Sequence, residues 1–242
     1  MPFTLIQFQR TTSTQTWARD WARLGAKEGL AVQALGQTCG RGRLQRDWHS
    51  PYNEGLYISV LLRPDIPLSQ ASRLTMLVSL AAIEACQTVA GVEPAPKWPN
   101  DLLLHGRKLA GVLTELENQG ERLSYAVSGL GLNVNSDFAG TSLAETAISL
   151  QQAAGHSVTL SELRDAYLHA LQRRYRRFLS GESPLAAWKT QLEPLGRHVR
   201  VVQSGHVIVE GMAVDVNKDG ALLVDDSGGI LHTIWAGDVQ VC

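Results

Sequence analysis

Near Leu195 the sequence changes its period, and that change limits the possible folds more than any other feature. Before it, runs with helical spacing alternate with apolar, strand-like runs. After it only short alternating segments remain: HVRVV, VIVEGMAV, ALLVDD and HTIWA. Turn residues separate them at Ser204-Gly205, Asp219-Gly220 and Gly228-Gly229. Alternation puts successive side chains on opposite faces of a strand, and each strand needs neighbours for its backbone groups. About fifty residues of this kind suit a small antiparallel barrel. The chain is therefore expected to divide into an α+β domain over residues 1–194 and a β domain over 195–242. With 44% hydrophobic residues, it can bury a sizeable core.

The first part predicts its elements by period. Residues 13–24 read as a helix with Trp17, Trp21 and Leu24 on one side and Gly25 as its stop. Residues 30–35 read as a buried strand, and residues 55–62 as a strand ended by Pro64. Residues 69–90 predict a long apolar helix with Leu74, Leu77, Val78 and Ala81 inward; Ala81, Ala82 and Ala85 permit close packing on a sheet. Strands are expected over 109–116 and 123–134, joined by a hairpin turn in NQGE. Thr159 and Glu162 have capping-box spacing. The helix after them is expected to reach Leu179, with Leu163, Tyr167, Leu171 and Phe178 at helical spacing and Gly181 closing it.

Composition excludes several classes. Lys and Arg number 22 against 23 Asp and Glu, so the whole chain offers no bulk attraction to DNA, RNA or an anionic membrane. An anionic substrate would need a local basic cluster. Cys39, Cys86 and Cys242 form no CxxC pair and no zinc spacing, which suits a reducing compartment. The segment MPFTLIQFQRTT has no signal-peptide pattern, and no apolar stretch is expected to approach the ~20 residues that cross a bilayer. The expected location is the cytoplasm. No Walker A sequence or GxSxG elbow is present, and no histidine is assigned a metal.

Five short segments carry chemistry. Gly40-Arg41-Gly42-Arg43, with Arg46 after it, alternates backbone freedom with planar guanidinium forks suited to carboxylate and phosphate. It fits a loop that closes over an anion, and it equally fits a solvated basic turn. Residues 97–101 (KWPND) place a cation, an aromatic, a rigid proline, an amide and a carboxylate in succession: Lys97, Trp98, Pro99, Asn100 and Asp101. A turn with an incidental surface ion pair is the alternative. Lys108 opens the apolar run LAGVL seven positions after Asp101, so a short hairpin can bring the two together. GLGLNV, residues 129–134, lacks the third glycine of a dinucleotide fingerprint; its glycines fit close approach of a neighbour or ligand. Thr12-Ser13-Thr14-Gln15 fits a helix N-cap, compatible with an anion contact at the same helix end.

In this order the segments resemble the biotin protein ligases, whose signature pieces are S-T-N, Q-x-x-G-R-G-R-x-G-R-x-W, K-W-P-N-D, K-L-x-G-I/V-L and G-x-G-x-N-V. The resemblance covers nearly the whole chain. Gln15 replaces the usual asparagine, and Gln45 replaces a glycine of the arginine loop, which should stiffen it. The resemblance implies a mixed sheet flanked by helices, as in class II synthetases, followed by a small SH3-like β-barrel. It implies ATP-dependent formation of biotinyl-5′-AMP and transfer of biotin to a lysine of a biotin carboxyl carrier protein, with Mg²⁺ expected and no prosthetic group. Lys108, Arg41, Arg43 and Asp101 are the implied catalytic residues. Ser13, Thr14, Gln15, Gln37, Gly40, Arg41, Arg43, Lys108 and Gly111 are implied for biotin, and Arg43, Lys97, Asn100 and Asn133 for the nucleotide. Trp48 could wall the pocket or belong to the core. The type resembled is monofunctional, without an N-terminal DNA-binding domain. It would have no DNA or membrane partner and could form a homodimer. Three rival readings remain at this point: a lipoate or octanoate transfer enzyme, a non-catalytic biotin-binding module, and a nucleic-acid-binding protein.

Overall fold

The strand Gly55–Leu62 is buried at all eight positions, so it must be covered on both faces. In the computed structural model, which describes residues 2–242, it is β3, the third strand of a seven-stranded sheet. Chain order gives β1 (Thr4–Thr11), α1 (Thr14–Arg23), β2 (Leu30–Gln37), β3 (Gly55–Leu62), α2 (Ser72–Ala90), β4 (Ala95–Lys97), β5 (Asp101–Leu104), β6 (Arg107–Gln119) and β7 (Arg122–Asn133). Spatial order is β1-β2-β3-β7-β6-β5-β4. Only β1 and β2 are parallel, and α1 is their crossover. Every other pair in the sheet is antiparallel.

One sheet face carries α2 and α4 (Leu160–Leu179), burying Leu74, Leu77, Val78, Ala81, Leu163, Tyr167 and Leu171 against Ile58, Val60 and Leu130. The other face carries α1, with Ala18 and Ala22 against Val32, Leu61 and Val127. The helix over residues 13–24 is thus present, but its inward side is Thr14, Gln15, Ala18 and Ala22. Trp17 is 38% exposed, stacks on Phe8 and packs at a tilt against Trp21, while Leu24 faces solvent. Small residues win the inner face because α1 lies close to the strands.

Two further expectations are corrected. Thr159 makes no side-chain cap; Leu163 N–H donates to its carbonyl, and the backbone alone starts α4. The reciprocal capping box belongs instead to Ser149 and Gln152, at the start of α3 (Leu150–Ala154). The segment Leu68–Ala90 is long and apolar enough by length and composition to cross a bilayer, contrary to the reading of the sequence. Its apolar side chains are packed between the sheet and α4, so it is a core helix.

After α5 (Leu185–Lys189) come β8 (His198–Gln203), β9 (His206–Val216), β10 (Leu222–Asp226), β11 (Leu231–Ile234) and β12 (Asp238–Val241). They form the expected antiparallel β unit, in order β11-β10-β9-β8-β12. Its core of Val199, Val201, Ala213, Leu222 and Val224 is continuous with Met76, Leu80, Trp98, Trp188 and Leu192 from the first part. Trp98 is the bolt between the two. It is 2% exposed, and its indole Nε1 donates to Gly220 O at 3.0 Å. Ser72 Oγ donates to Asp219 O at 2.9 Å beside it. Gly220 has φ +92°, and a Cβ there would stand 2.7 Å from Ser72 Oγ, so this turn is closed to other residues. Trp98→Ala should lower stability by about 3–5 kcal/mol, as truncation of a buried aromatic does. Denaturant unfolding measures this, and a loss below about 1 kcal/mol would remove Trp98 from the core.

Candidate active site

The site begins with glycines in neighbouring strands. Gly111 on β6 pairs directly with Gly131 on β7, leaving a strip of bare backbone. The ring of Trp48 fills it. A Cβ on Gly131 would lie 2.5 Å from the indole, and one on Gly111 3.1 Å from it. The GLGLNV glycines therefore serve close approach of a neighbour, as strand glycines often do. Gly129, two residues earlier, leaves room in the same way for the Gln15 amide, whose Oε1 would stand 2.6 Å from a Cβ there.

At that end the side chains form a polar network. Gln15 Nε2 donates to Val127 O at 2.9 Å and to Leu113 O at 3.4 Å, and Ser59 Oγ donates to Gln15 Oε1 at 3.0 Å. The longer side chain that replaces asparagine thus ties α1 to β6 and β7. Thr14 Oγ1 and Ser59 Oγ are 2.9 Å apart, and Thr14 N–H donates to Gln37 Oε1 at 2.9 Å. Gln37 Nε2 donates to Ser50 Oγ at 3.0 Å. Ser13 occupies the N-cap position, but its hydroxyl makes no cap bond, contrary to the N-cap expectation.

The cations stand opposite. The arginine loop is a narrow lobe: Trp48 N–H donates to Gly40 O, Gly42 N–H donates to Arg46 O, and Arg41 and Asp47 face each other in an antiparallel backbone β-bridge. Leu44 and Gln45 sit at φ +54° and +61°, left-handed conformations that glycine adopts without strain. Gln45 therefore stands where the family's glycine would be unstrained. Each cation has a partner. Lys108 Nζ lies 2.8 Å from Asp101 Oδ1 and 5.3 Å from the Trp48 ring centre. Arg41 lies 3.4 Å from Glu115, and Arg43 Nη1 donates to Asn100 Oδ1 at 2.9 Å. Arg46 reaches Asp238 of β12, whose hydrogen bond and charge raise the guanidinium pKa above its ordinary value.

Two cavities share one wall. The first is lined by Ser13, Thr14, Gln15, Gln37, Arg41, Arg43, Asn100, Asp101, Lys108 and Gly111, among others. The second is lined by Gly40, Asn133, Phe138, Leu143 and Thr146, among others. Gln37, Asp47, Trp48 and Lys108 belong to both. All the residues implied for catalysis, biotin or the nucleotide therefore meet at these two spaces, except Lys97, which lines neither. Trp98 beside it is core. Trp48 resolves as a cavity wall.

Sequence reasoning missed Ser59, Asp47 and Asp238. Ser59 had a signal, as the one polar side chain in the fully buried run GLYISVLL. Asp238 had none. The Cys86 thiol, fully buried, is pushed up to about 12 and is no nucleophile. Among the described residues, the one group with metal-ligand geometry, His198, Glu210 and Cys242, lines neither cavity.

The comparisons agree with this architecture. The biotin/lipoate A/B protein ligase family model matches residues 5–133, and that of the biotin protein ligase C terminal domain matches residues 195–241. The bifunctional ligase/repressor BirA of Bacillus subtilis is 34% identical over 242 residues, 98% of this chain and 74% of that protein. The biotin–[acetyl-CoA-carboxylase] ligase of Paracoccus denitrificans is 31% identical over 91% of this chain and 93% of its own length. The structure of the biotin protein ligase from Aquifex aeolicus in complex with biotin and ATP has a TM-score of 0.82 and 27% identity, over 99% of this chain and 98% of that one. The chain belongs to the biotin/lipoate A/B protein ligase family and, within it, to the biotin protein ligases.

Proposed function

We propose that the enzyme activates biotin with ATP and passes it to a specific lysine of a biotin carboxyl carrier protein. The observation that carries this is the shared wall: Lys108 lines both cavities, so a carboxylate in one and a phosphate in the other would meet at its ammonium. The Aquifex aeolicus relative, solved with biotin and ATP, supports the pairing of substrates. Residues 1–194 would be the catalytic domain and 195–242 the C-terminal domain.

In this reading a biotin carboxylate oxygen attacks the α-phosphorus of ATP, the bond to the β-phosphate breaks, and biotinyl-5′-AMP and pyrophosphate form. The carrier lysine's amine then attacks the acyl carbon, an amide forms, and AMP leaves with the electron pair of the old bond. Repulsion between two anions is the first obstacle, and Lys108, Arg41 and Arg43 oppose it with preorganised charge. The lysine must also shed a proton, and Asp101 is the carboxylate that would accept it. Ser13, Thr14, Gln15 and Gln37 would surround the ureido head, with Trp48 along the apolar chain of biotin. Backbone at Gly40 and Gly111 would contact the ligand. Asn133, in the second cavity, would lie on the nucleotide side with Arg43 and Asn100 toward the phosphates. Asp47, Asp101 and Asp238 line the first cavity without converging as a metal group. That fits Mg²⁺ held by one or two carboxylates plus the phosphates, where it would neutralise charge on the pyrophosphate.

The near-zero net charge supports a protein partner rather than DNA or a membrane surface. The cytoplasm is the proposed location. Two copies would pair along the open edge of β1, where Leu5 and Ile6 are each 37% exposed.

Three variants test the reading. Lys108→Ala should cut biotin-dependent pyrophosphate release by ~10²-fold or more, as loss of a preorganised charge does; near-normal release would take Lys108 off the catalytic list. Arg41→Gly should let the adenylate escape and biotinylate bystander proteins, scored by mass spectrometry, and strict specificity in that variant would end the loop-closure role. Gly131→Ala should displace Trp48 and lower ligation at least ~10-fold with a nearly unchanged melting temperature. Full activity there would mean that the indole is no wall.

A further inference from the structure

Three carboxylates, Asp47, Asp101 and Asp238, line the first cavity, and of these Asp238 comes from the C-terminal sheet. An anion there would work against substrate binding unless something holds its charge. Arg46 does so: its Nη2 donates to Asp238 Oδ2 at 2.5 Å, across 192 residues of sequence. Arg46 also closes the arginine loop through its backbone. Its carbonyl accepts from Gly42 N–H at 2.7 Å, and its neighbour Asp47 faces Arg41 in an antiparallel backbone β-bridge. Whatever holds Arg46 therefore holds Gly42 and Arg41 as well.

The other end of the tether is fixed. Asp238 opens β12 and pairs with Val202 on β8. The sheet carrying β12 is anchored to the first part by the Trp98 and Ser72 hydrogen bonds and by the shared apolar cluster. We propose that Asp238 is the positioning residue through which the C-terminal domain holds the arginine loop closed over the activated intermediate. The proposal rests on the adenylate reading above and gives the C-terminal domain a task within it. The pair is partly exposed, with side chains 63% and 38% accessible, so it is weak and screened by salt. That strength suits a latch that must open in every turnover.

The test uses the full chain as wild type, Asp238→Asn and Asp238→Glu, with biotin, ATP, a carrier domain and serum albumin as bystander. Adenylate formation, carrier biotinylation and albumin biotinylation are measured together. Asp238→Asn should raise the albumin-to-carrier ratio roughly two- to fivefold, the range that a partly exposed ion pair supports. Asp238→Glu should restore it. Raising ionic strength should increase leakage in the wild type and leave the Asn variant unchanged, a response that a purely structural role would not produce. Equal leakage in wild type and Asn variant overturns the latch. So does a glutamate that leaks like asparagine, or an Asn variant whose only change is a lower KM for ATP. If the Asn variant does not fold, salt-insensitive leakage in the wild type overturns it instead. A wild type that forms no adenylate defeats the underlying reading, whereas adenylate with identical leakage in both proteins defeats only the latch.

Discussion

The indole of Trp48 lying on the paired glycines of β6 and β7 is the contact that organises the site. Two bare backbone positions opposite each other let an aromatic ring approach a sheet at a distance that any side chain would forbid. The ring then divides the space above the strands into two cavities and lays its face toward the Lys108 ammonium. Lys108 is held from the other side by Asp101, through the β5–β6 hairpin. A cation fixed by a ring and a carboxylate is already oriented before any ligand arrives, which is the condition for charge to stabilise a transition state without reorganising.

The site's electrostatics are neutralised in advance. Lys108, Arg41 and Arg46 each face a carboxylate, and Arg43 faces an amide oxygen. Unpaired, four cations around one cavity would repel one another. Paired, they keep the loop compact, and an incoming phosphate or carboxylate need only exchange one oxygen partner for another. The polar end differs in kind. Gln15, Ser59 and Thr14 bond mainly to one another and to backbone carbonyls of β6 and β7, so that end has fixed shape and little charge.

The two parts of the chain are not independent. Trp98 stands in the most function-like run of the sequence, yet its ring belongs to the core that joins the sheets. Its neighbours Asn100 and Asp101 reach the cavity on the other side of the turn. One short segment thus sets both the seating of the C-terminal sheet and the position of two polar groups at the cavity.

Local chemistry determined much of this in advance. Period alone placed β3, α2, α4 and the β6–β7 hairpin, because a buried strand or an amphipathic helix records its surroundings in its own spacing. The motifs point to Arg41, Arg43, Lys108 and Asp101, because close charged chemistry needs those residue types, and the family resemblance adds Gln37. Tertiary structure decided the rest. It chose the small face of α1 over its tryptophans, gave Ser149 rather than Thr159 the cap, sent Lys97 away from both cavities, and brought Asp238 to Arg46. These are matters of which surfaces meet across long stretches of chain, and contact between residues 192 positions apart leaves no mark in the local pattern of either.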